Sequence, residues 1–473
     1  MQLLQAIYDP QTFRVQGHQL IDQLADHLTA ARQGGPGRVS NWHSPEAELA
    51  HWSERLQGAP RSVDDFLREV IERSICLHHP HYVGHQVGVV APTAALAGLV
   101  SAFLNNGSAV YEMGSASTAL ERWLVQQTCR QVGFSTGDGF LTSGGTLAML
   151  SAVLAARAVQ LGPTTFTAGT PNNWSIMASA ESHYCVARAV QVLGGGSEGL
   201  IKVPVDGRFK MRVDLLDELY EAACARGRKP FALVGSACTT STGSYDDLRA
   251  QAEFCRRRGV WFHVDGAHGA AVAFCPELKS KIAGLELADS MILDFHKMMM
   301  IPGLTTAVLF RQAKHSWSAF HQQAQYLWDE GQEGDWYHLS KRTFECTKLM
   351  MSIKVVALWQ QFGVEGFAEY LRTVHALATE FARRIRARAD FELAIEPESN
   401  IVCFRYFTPG GGIEAMDLVN AGIRRELVET NEFYLVQTIL GGRVWLRTAL
   451  MNPFTTAETL NVLLDRIEEL ARA

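Results

Sequence analysis

Five short polar sequences, each directly after an apolar run, carry the residue types that could do chemistry. The first, Thr142-Ser143-Gly144-Gly145-Thr146, is a turn of small residues that leads straight into a helical sequence. Backbone amides at such a turn lie at the positive end of the helix dipole and suit a phosphate group. An ordinary strand-to-helix turn with a threonine N-cap would have the same sequence, so this motif alone leaves both interpretations open.

An acid and a lysine follow two further apolar runs. Asp265 ends the run VWFHVD, where a carboxylate is costly unless a cation, a metal or backbone amides bind it. Lys297 follows SMILDFH and precedes three methionines, so we expect burial to lower its pKa and free its amine for nucleophilic attack. A buried aspartate bound only by backbone amides and a solvated lysine at a strand end are the alternative interpretations.

An imidazole and two hydroxyls complete the set. His183 follows NWSIMAS, and Thr239 and Thr240 follow FALVGSAC. A single histidine is more often packed in a core, but the combination is more informative than its members. A Schiff-base lysine, a carboxylate for the pyridinium nitrogen and donors for a phosphate are what pyridoxal 5′-phosphate needs. The five sequences together therefore predict a site for this cofactor.

The elements that must position these residues alternate between strands and helices from about Asp138 to Arg311. The predicted strands are GFLTS, NWSIMAS, GLIKVPVD, PFALVGSA, GVWFHVD, DSMILDF and TTAVLF. Apolar strands that alternate with helices favour an α/β fold whose mostly parallel sheet is covered on both faces. Ligands of such sheets bind beyond the carboxyl ends of the strands, where the five polar sequences lie.

The flanking regions have a different character. The chain up to about residue 80 is polar-rich and helical, and SVDDFLREVIERSIC begins with Ser62 as a predicted N-cap. A long helical sequence follows Ser352, and the chain ends in FELAIE, IVCFRYF, a helix and RVWLRTAL. We predict an N-terminal helical dimerisation segment over 1–80, a large cofactor-binding α/β domain over 81–350 and a small α+β domain over 351–473.

Composition excludes several classes of protein. The 473 residues carry a net charge of −6 and are 47% apolar, which excludes collagen-like, coiled-coil and disordered chains and argues against nucleic-acid or membrane-surface binding. The N-terminal sequence has no basic and apolar regions of a signal peptide, and nine singly placed cysteines suit a reduced, cytoplasmic enzyme. The weakly charged stretch 82–111 is too interrupted to span a membrane, so we expect a buried segment.

Four histidines lie close together but do not predict a metal site. They are His78, His79, His81 and His85, on a segment that contains proline and offers no cysteine or carboxylate partner. We therefore expect no metal.

The motifs resemble one enzyme family. TSGGTLAMLSAVLAAR, SHYC, ACTTSTGSYDDL, HVDGAHG and ADSMILDFHK occur in the order and spacing of the pyridoxal-phosphate-dependent group II amino-acid decarboxylases. That family includes glutamate, cysteine-sulfinate, aromatic-amino-acid and 2,4-diaminobutyrate decarboxylases. The resemblance covers roughly residues 75 to 473. It implies a fold-type I enzyme, pyridoxal 5′-phosphate as cofactor and a homodimer with shared active sites.

The resemblance also implies roles for individual residues. Lys297 would form the Schiff base with the cofactor, Asp265 would pair with the pyridinium nitrogen, and His183 and Ala267 would pack on opposite faces of the ring. The other implied cofactor contacts are Gly144, Gly145 and Thr146 at the phosphate, Thr240 near the 3′ oxygen, His296 near the phosphate and the Schiff base, and Asp294.

Two more positions concern the reaction and the substrate. Tyr326 follows Lys297 at the distance where the family carries a mobile-loop tyrosine, which reaches the neighbouring subunit's site and protonates the substrate Cα. Arg447 matches an arginine that binds substrate carboxylate in glutamate-type members, although an interdomain salt bridge is an alternative. His85 and Gln86 stand where glutamate decarboxylases read the substrate side chain with Asn-Gln-Leu, so the match to glutamate itself is poor.

These resemblances predict α-decarboxylation of an L-amino acid to its amine and CO2. The polar His85, Gln86 and Lys348 favour a small polar or charged aliphatic substrate over an aromatic one. Arg447 and Lys348 suit an acidic substrate, whereas HPHYVGHQ and LMNPFTT are similar to diaminobutyrate-type enzymes, so the sign of the charge stays open. Oxidative decarboxylation to an aldehyde and a β-lyase reaction are the alternatives.

Two further classes of protein fit the sequence less well. A nucleotide-binding oxidoreductase would need G-x-G-x-x-G after the first strand, with an acid about twenty residues on, and the sequence has neither. A homologue that has lost catalysis would not need Lys297, Asp265, His183 and Tyr326, all of which are present.

Overall fold

The computed structural model describes residues 2–34, 38–58, 62–108, 110–320, 336–407 and 412–472. The chain divides into two compact units. We call Gln86–Ala378 with Ile395–Ile401 the central unit, and Met1–His85 with Thr379–Ala394 and Val402–Ala473 the terminal unit. The three-part division at residues 80 and 350 stays a prediction.

Helices and strands alternate through most of the described chain. The α-helices are α1 (Gln2–Ile7), α2 (Pro10–Arg32), α3 (Pro45–Arg55), α4 (Val63–Arg73), α5 (Pro92–Leu104), α6 (Ser115–Val132), α7 (Gly145–Leu161), α8 (Cys185–Val192), α9 (Leu216–Ala225), α10 (Leu248–Arg258), α11 (Phe295–Met298), α12 (Ser352–Arg386), α13 (Ile413–Glu429) and α14 (Ala457–Arg472). The strands are β1 (Asp138–Thr142), β2 (Trp174–Ser179), β3 (Leu200–Val203), β4 (Lys229–Ser236), β5 (Trp261–Asp265), β6 (Ser290–Asp294), β7 (Thr306–Phe310), β8 (Phe391–Leu393), β9 (Ile401–Tyr406), β10 (Val436–Leu440) and β11 (Arg443–Ala449).

The central unit is built on the seven-stranded sheet that the sequence predicts. Its strand order is β1-β7-β6-β5-β4-β2-β3, with β7 antiparallel to both of its neighbours and the remaining pairs parallel. Every residue of β1, β2, β6 and β7 is buried, as expected for a sheet with helices on both faces. The mostly parallel α/β fold is therefore confirmed.

The helix boundaries follow local sequence signals. The Ser62 hydroxyl accepts a hydrogen bond from the Asp64 amide and caps α4, as predicted. Asp9 caps α2 in the same way, and Pro10 occupies the first helical position. The long helix α12 contains one non-helical residue, Gly363, at φ 64° and ψ −167°.

The terminal unit contains a four-stranded sheet of order β10-β11-β9-β8. Of these strands, β8, β9 and β11 coincide with predicted ones, whereas β10 was not predicted. A two-residue turn, Gly441-Gly442, joins β10 to β11, and both glycines have positive φ. Two apolar runs separated by Gly-Gly are a hairpin signal, which would have revealed the missing strand.

Apolar side chains of α5 lie on the surface of the single chain, contrary to the prediction that residues 82–111 are buried. Leu99 is 47% exposed and Phe103 is 67% exposed, and only Ala94 and Ser101 of this helix are buried. Leu3 on α1 is also exposed. Contiguous exposed apolar faces are typical of surfaces that another chain covers. Among the described helices, none has the length and apolarity to cross a membrane.

Candidate active site

A cavity of about 530 Å³ opens at the carboxyl edge of the central sheet. It lies at the ends of β5 and β6 and at the N-terminus of α7, where the sequence places the chemistry. The predicted site residues that line it are Gln86, Gly144, Gly145, Thr146, His183, Thr240, Asp265, Ala267, Asp294, His296 and Lys297. The five polar sequences therefore do meet in one place.

The turn before α7 offers free backbone donors. Gly144 is the N-cap at φ 131° and ψ 158°, a conformation that side chains rarely tolerate. None of the described side chains caps this helix, and Thr142 donates its hydroxyl hydrogen to the carbonyl of Gly144 instead. The threonine N-cap alternative is therefore wrong. The first amides of a helix have no partner within it, so those of Gly145 and Thr146 are available to an anion.

Lys297 forms an ion pair with Asp294 at the end of β6. Its Nζ lies 2.9 Å from Asp294 Oδ2, and the carboxylate is 2% exposed. Burial alone would lower the pKa of Lys297, but the carboxylates of Asp294 and Asp265 outweigh it, so the pKa is raised. The expectation of a lowered lysine pKa is wrong for the protein without cofactor, because an acid three residues earlier neutralises the ammonium.

Asp294 is bound from several sides. Its Oδ1 accepts a hydrogen bond of 2.5 Å from the Thr306 hydroxyl, and His296 Nε2 lies 3.7 Å from Oδ2. Burial opposes ionisation, but Lys297 and His296 together with the hydrogen bonds hold the pKa of Asp294 below its ordinary value. A Cβ on Gly145 would lie 3.2 Å from both carboxylate oxygens. Asp294 therefore lies directly beside the anion-binding turn.

Asp265 is in the opposite situation. Its Oδ1 accepts a hydrogen bond of 3.2 Å from the Ala267 amide, and among the described residues no cation forms an ion pair with it. Burial raises the pKa of Asp265, and the more distant charges of Lys297 and His183 only oppose that shift. A buried carboxylate of this kind is stabilised by a positive group placed in the cavity.

The two histidines have defined partners. His183 Nδ1 accepts the Cys185 amide hydrogen at 3.2 Å, which leaves any ring proton of the neutral form on Nε2. Burial lowers the pKa of His183, so its ring is neutral and suited to stacking. His296 Nδ1 lies 3.1 Å from the Thr305 carbonyl oxygen and 3.2 Å from the Thr305 nitrogen.

These residues fit pyridoxal 5′-phosphate. The α7 turn supplies anion donors, and Lys297 supplies an amine within the same cavity. Asp265 supplies a half-buried carboxylate, poorly solvated within the cavity, that matches a pyridinium nitrogen. His183 and the small Ala267 line the same cavity and could pack against a flat ring.

Three predicted residues are not brought to this cavity by the described structure. His85 and Arg447 belong to the terminal unit, where Arg447 lies on β11 and is buried. Burial lowers the pKa of His85, and the positive charges of Arg447 and Arg424 lower it further, so these three groups are neighbours. Tyr326 lies outside the described residues.

Lys348 has a structural partner. Its Nζ lies 2.6 Å from Glu121 Oε1, and the two side chains are 0% and 2% exposed. Burial lowers the pKa of Lys348 against the attraction of Glu121. Lys348 does not line the cavity described above, so it gives no support to an acidic substrate.

Sequence reasoning missed several residues of the site. Thr306 begins β7, whereas all the polar motifs of the sequence follow strands. Because β7 is antiparallel, its first residue lies at the same edge as the carboxyl ends of its neighbours. Arg188 lines the cavity from α8, and Glu345 binds Ser143 from 202 positions away, which no local pattern predicts.

Comparison with known proteins agrees with this geometry. Residues 59–407 match the pyridoxal-dependent decarboxylase conserved domain. The chain is 28% identical to an L-2,4-diaminobutyrate decarboxylase of Rhizobium meliloti, over 96% of this chain and 90% of that protein. It is 26% identical to an acidic amino acid decarboxylase of Mus musculus, over 92% and 82% of the two chains.

The fold has close counterparts among solved structures. The crystal structure of mouse CSAD superposes with a TM-score of 0.90 over 98% of this chain and 99% of that one, at 24% identity, which establishes the likeness of fold. Together with the family match over most of the sequence, these findings identify the class of enzyme. The chain belongs to the pyridoxal-dependent decarboxylase family and is a carboxy-lyase that uses pyridoxal 5′-phosphate.

Proposed function

We propose that this enzyme removes the α-carboxyl group of an L-amino acid with a small polar or charged aliphatic side chain, releasing CO2 and the amine. The observation that carries the proposal is the meeting of Lys297, Asp265 and His183 with the α7 turn around one cavity. When bound, pyridoxal 5′-phosphate withdraws electrons from the Cα bond that breaks.

Each residue of the cavity has a proposed task. Lys297 holds the cofactor through its amine, and Asp294 keeps that amine in place. Asp265 keeps a proton at the pyridine nitrogen, because a buried carboxylate favours a positive neighbour. The remaining proposed contacts are Gly144, Gly145, Thr146 and His296 at the phosphate, Thr240 near the 3′ oxygen, and His183 and Ala267 on the two ring faces.

Completion of the reaction requires a proton at Cα. We assign this task to Tyr326, acting on the active site of a partner subunit in a homodimer. Apolar surfaces such as those of Leu99 and Phe103 on α5 support a dimer, because a second copy would cover them.

Complementation tests this assignment. Mixed dimers of Lys297→Ala and Tyr326→Phe subunits contain one site with both residues intact, provided that the tyrosine acts across the interface. We then expect each mixed dimer to have about half of the activity of a wild-type dimer, so a randomly exchanged equimolar mixture should regain about a quarter of the wild-type activity. A mixture as inactive as its parents, although subunits exchange, would place Tyr326 in its own subunit's site.

Two observations support a polar or charged substrate. The polar side chains of Gln86 and Arg188 line the cavity that holds Lys297. Relatives include one decarboxylase named for 2,4-diaminobutyrate and another named for acidic amino acids. The first has a basic side chain and the second has acidic ones, so both signs of charge belong in the test.

CO2 release and product analysis provide that test. Cofactor-loaded enzyme is supplied with the common L-amino acids, 2,4-diaminobutyrate, ornithine, cysteine sulfinate and cysteate, with Lys297→Ala as the control. We expect one polar or charged substrate to give CO2 and amine in equal amounts. Aldehyde, ammonia and peroxide in place of amine would replace the proposal with oxidative decarboxylation, and preference for an aromatic substrate would overturn the proposed side-chain class.

A further inference from the structure

We propose that Glu345 is a positioning residue for the phosphate-binding turn, since its carboxylate fixes Ser143 and thereby directs the amides of Gly144, Gly145 and Thr146. The inference rests on the cofactor site proposed above and adds a residue that touches neither cofactor nor substrate in that proposal.

The contact is made to a single carboxylate oxygen. The Ser143 amide donates to Glu345 Oε1 at 3.1 Å, and the Ser143 hydroxyl donates to the same oxygen at 2.7 Å. Two donors from one residue fix both the backbone and the side chain, so the turn loses freedom immediately before Gly144. The other oxygen, Oε2, is buried and has no hydrogen-bond partner among the described residues.

That unpartnered oxygen is informative because it carries charge. A carboxylate beside an anion-binding turn repels a phosphate. The nearby cation that the Glu345 charge attracts is the buried ammonium of Lys348 rather than a group in the turn. The repulsion argues against a role in cofactor affinity through charge and leaves the geometry of the turn as what Glu345 supplies.

Buried ion pairs hold Glu345 in position. It lies within residues 342–348, which we call the strap. At one end Arg342 pairs with Asp138 at 2.7 Å, with side chains 1% and 4% exposed. At the other end Lys348 pairs with Glu121 at 2.6 Å.

The contacts of the strap are made to β1 and to the turn that follows it. Asp138 begins β1, and Glu121 Oε1 also accepts the Leu141 amide hydrogen at 2.9 Å within β1. Together with the Ser143 contact, the strap therefore reaches the start, the end and the following turn of one five-residue strand. Because these contacts are closely spaced along the chain, they restrict the motion of the turn. The amides of the turn are then already oriented when a ligand binds, which is what preorganised binding requires.

Cofactor titration of matched variants tests the role. Cofactor-free protein is titrated with pyridoxal 5′-phosphate, followed by absorbance, and with inorganic phosphate as a competitor. We expect Glu345→Ala to weaken cofactor binding about tenfold and Ser143→Ala, which loses only the hydroxyl donor, about threefold. Glu345→Gln keeps the accepting oxygen and loses the charge, so it should bind at least as tightly as the wild type. Glu277→Ala, an exposed acid elsewhere in the central unit, should bind like the wild type.

The outcomes separate this inference from the proposed function. Wild-type affinity in Glu345→Ala would overturn the inference, and so would a Glu345→Gln variant as weak as Glu345→Ala, since charge rather than geometry would then matter. If Glu345→Ala does not fold, as judged by thermal unfolding, Ser143→Ala decides between weakened and unchanged binding. A wild-type protein that fails to bind pyridoxal 5′-phosphate would instead contradict the cofactor site itself.

Discussion

Asp265 and Asp294 end neighbouring parallel strands of one sheet, yet their environments shift their acidity in opposite directions. Asp294 is paired with Lys297 at 2.9 Å and hydrogen-bonded by Thr306, and its pKa is lowered. The Asp265 carboxylate accepts a hydrogen bond from the Ala267 amide, and burial raises its pKa. The residue type is the same, so the neighbouring groups decide the difference: Lys297 and Thr306 bind the Asp294 carboxylate, whereas the Asp265 carboxylate has no comparable partner among the described residues.

The two shifts have opposite consequences for folding. A lowered pKa means that Asp294 contributes stability above its ordinary pKa, and this contribution is lost as pH falls through its folded value. A raised pKa means that ionised Asp265 costs stability, and this cost develops as pH rises through its folded value. Variants that neutralise each carboxylate should therefore change the stability of the cofactor-free protein with opposite sign.

The largest expected effect comes from removing the lysine that separates the two carboxylates. Lys297→Ala should lower the rate of CO2 release by more than about a thousandfold, because no other described residue offers its amine at this place. Without its cation, Asp294 should become similar to Asp265, with a raised pKa. Initial-rate measurements test the first effect, with the exposed Lys202→Ala as control. Activity near that of the control would remove Lys297 from the reaction.

The second-largest expected effect is that of Asp265→Asn, which should change activity and stability in opposite directions. Asp265→Asn should lower kcat by about a hundredfold or more, because an amide cannot hold a proton on the pyridine nitrogen. The cofactor-free variant should nevertheless be about 1 kcal/mol more stable at pH 7, because a buried charge is gone. Urea unfolding at pH 5 and 7 measures this gain, which should increase with pH. A loss of stability that grows with pH would mean that Asp265 is already neutralised within the protein.

The sequence was sufficient to predict that Asp265 and Lys297 share one site, but not how Asp294 changes the charge balance there. Asp265 and Lys297 follow apolar runs that the sequence predicts as parallel strands, and the carboxyl ends of parallel strands lie at the same edge of a sheet, as the structure confirms. The lowered pKa expected for Lys297 was wrong because it considered burial and omitted Asp294, whose side chain points to the same cavity. Periodicity gives the position of a side chain along a strand but not its distance from another charge.

Contacts between distant segments were beyond such reasoning. Thr306 reaches Asp294 because β7 is antiparallel, and Glu345 reaches Ser143 through tertiary packing. The exposed face of α5 was also unexpected, because composition shows that a segment is apolar but not what covers it.

The third effect is a change of stability opposite in sign to that of Asp265→Asn. Asp294→Asn should destabilise the cofactor-free protein by about 2 kcal/mol at pH 7, because Lys297 loses its partner. The difference from wild type should begin to decrease below about pH 4, the ordinary range of an aspartate, and disappear as pH falls through the lowered pKa of folded Asp294. It should also decrease above about pH 10 and disappear as pH rises through the raised pKa of folded Lys297. Urea unfolding across this range provides the test. A difference that is independent of pH would mean that the ion pair does not contribute.

The smallest expected effect is a difference in stability between variants of two adjacent threonines, Thr305 and Thr306. Thr306 is the first residue of β7, and Thr305 directly precedes it. Both are fully buried, but Thr306 donates to Asp294, whereas Thr305 Oγ1 has no hydrogen-bond partner among the described residues. Thr306→Val should cost about 1.5 kcal/mol, since it removes a hydrogen bond to a charged group, and Thr305→Val should be neutral or slightly stabilising. The pKa of Asp294 should rise only in Thr306→Val, so the cost should diminish in acid. Equal unfolding free energies for the two variants at pH 7 would show that the hydroxyl does not hold the carboxylate, and the contrast between Asp294 and Asp265 would then depend on Lys297 alone.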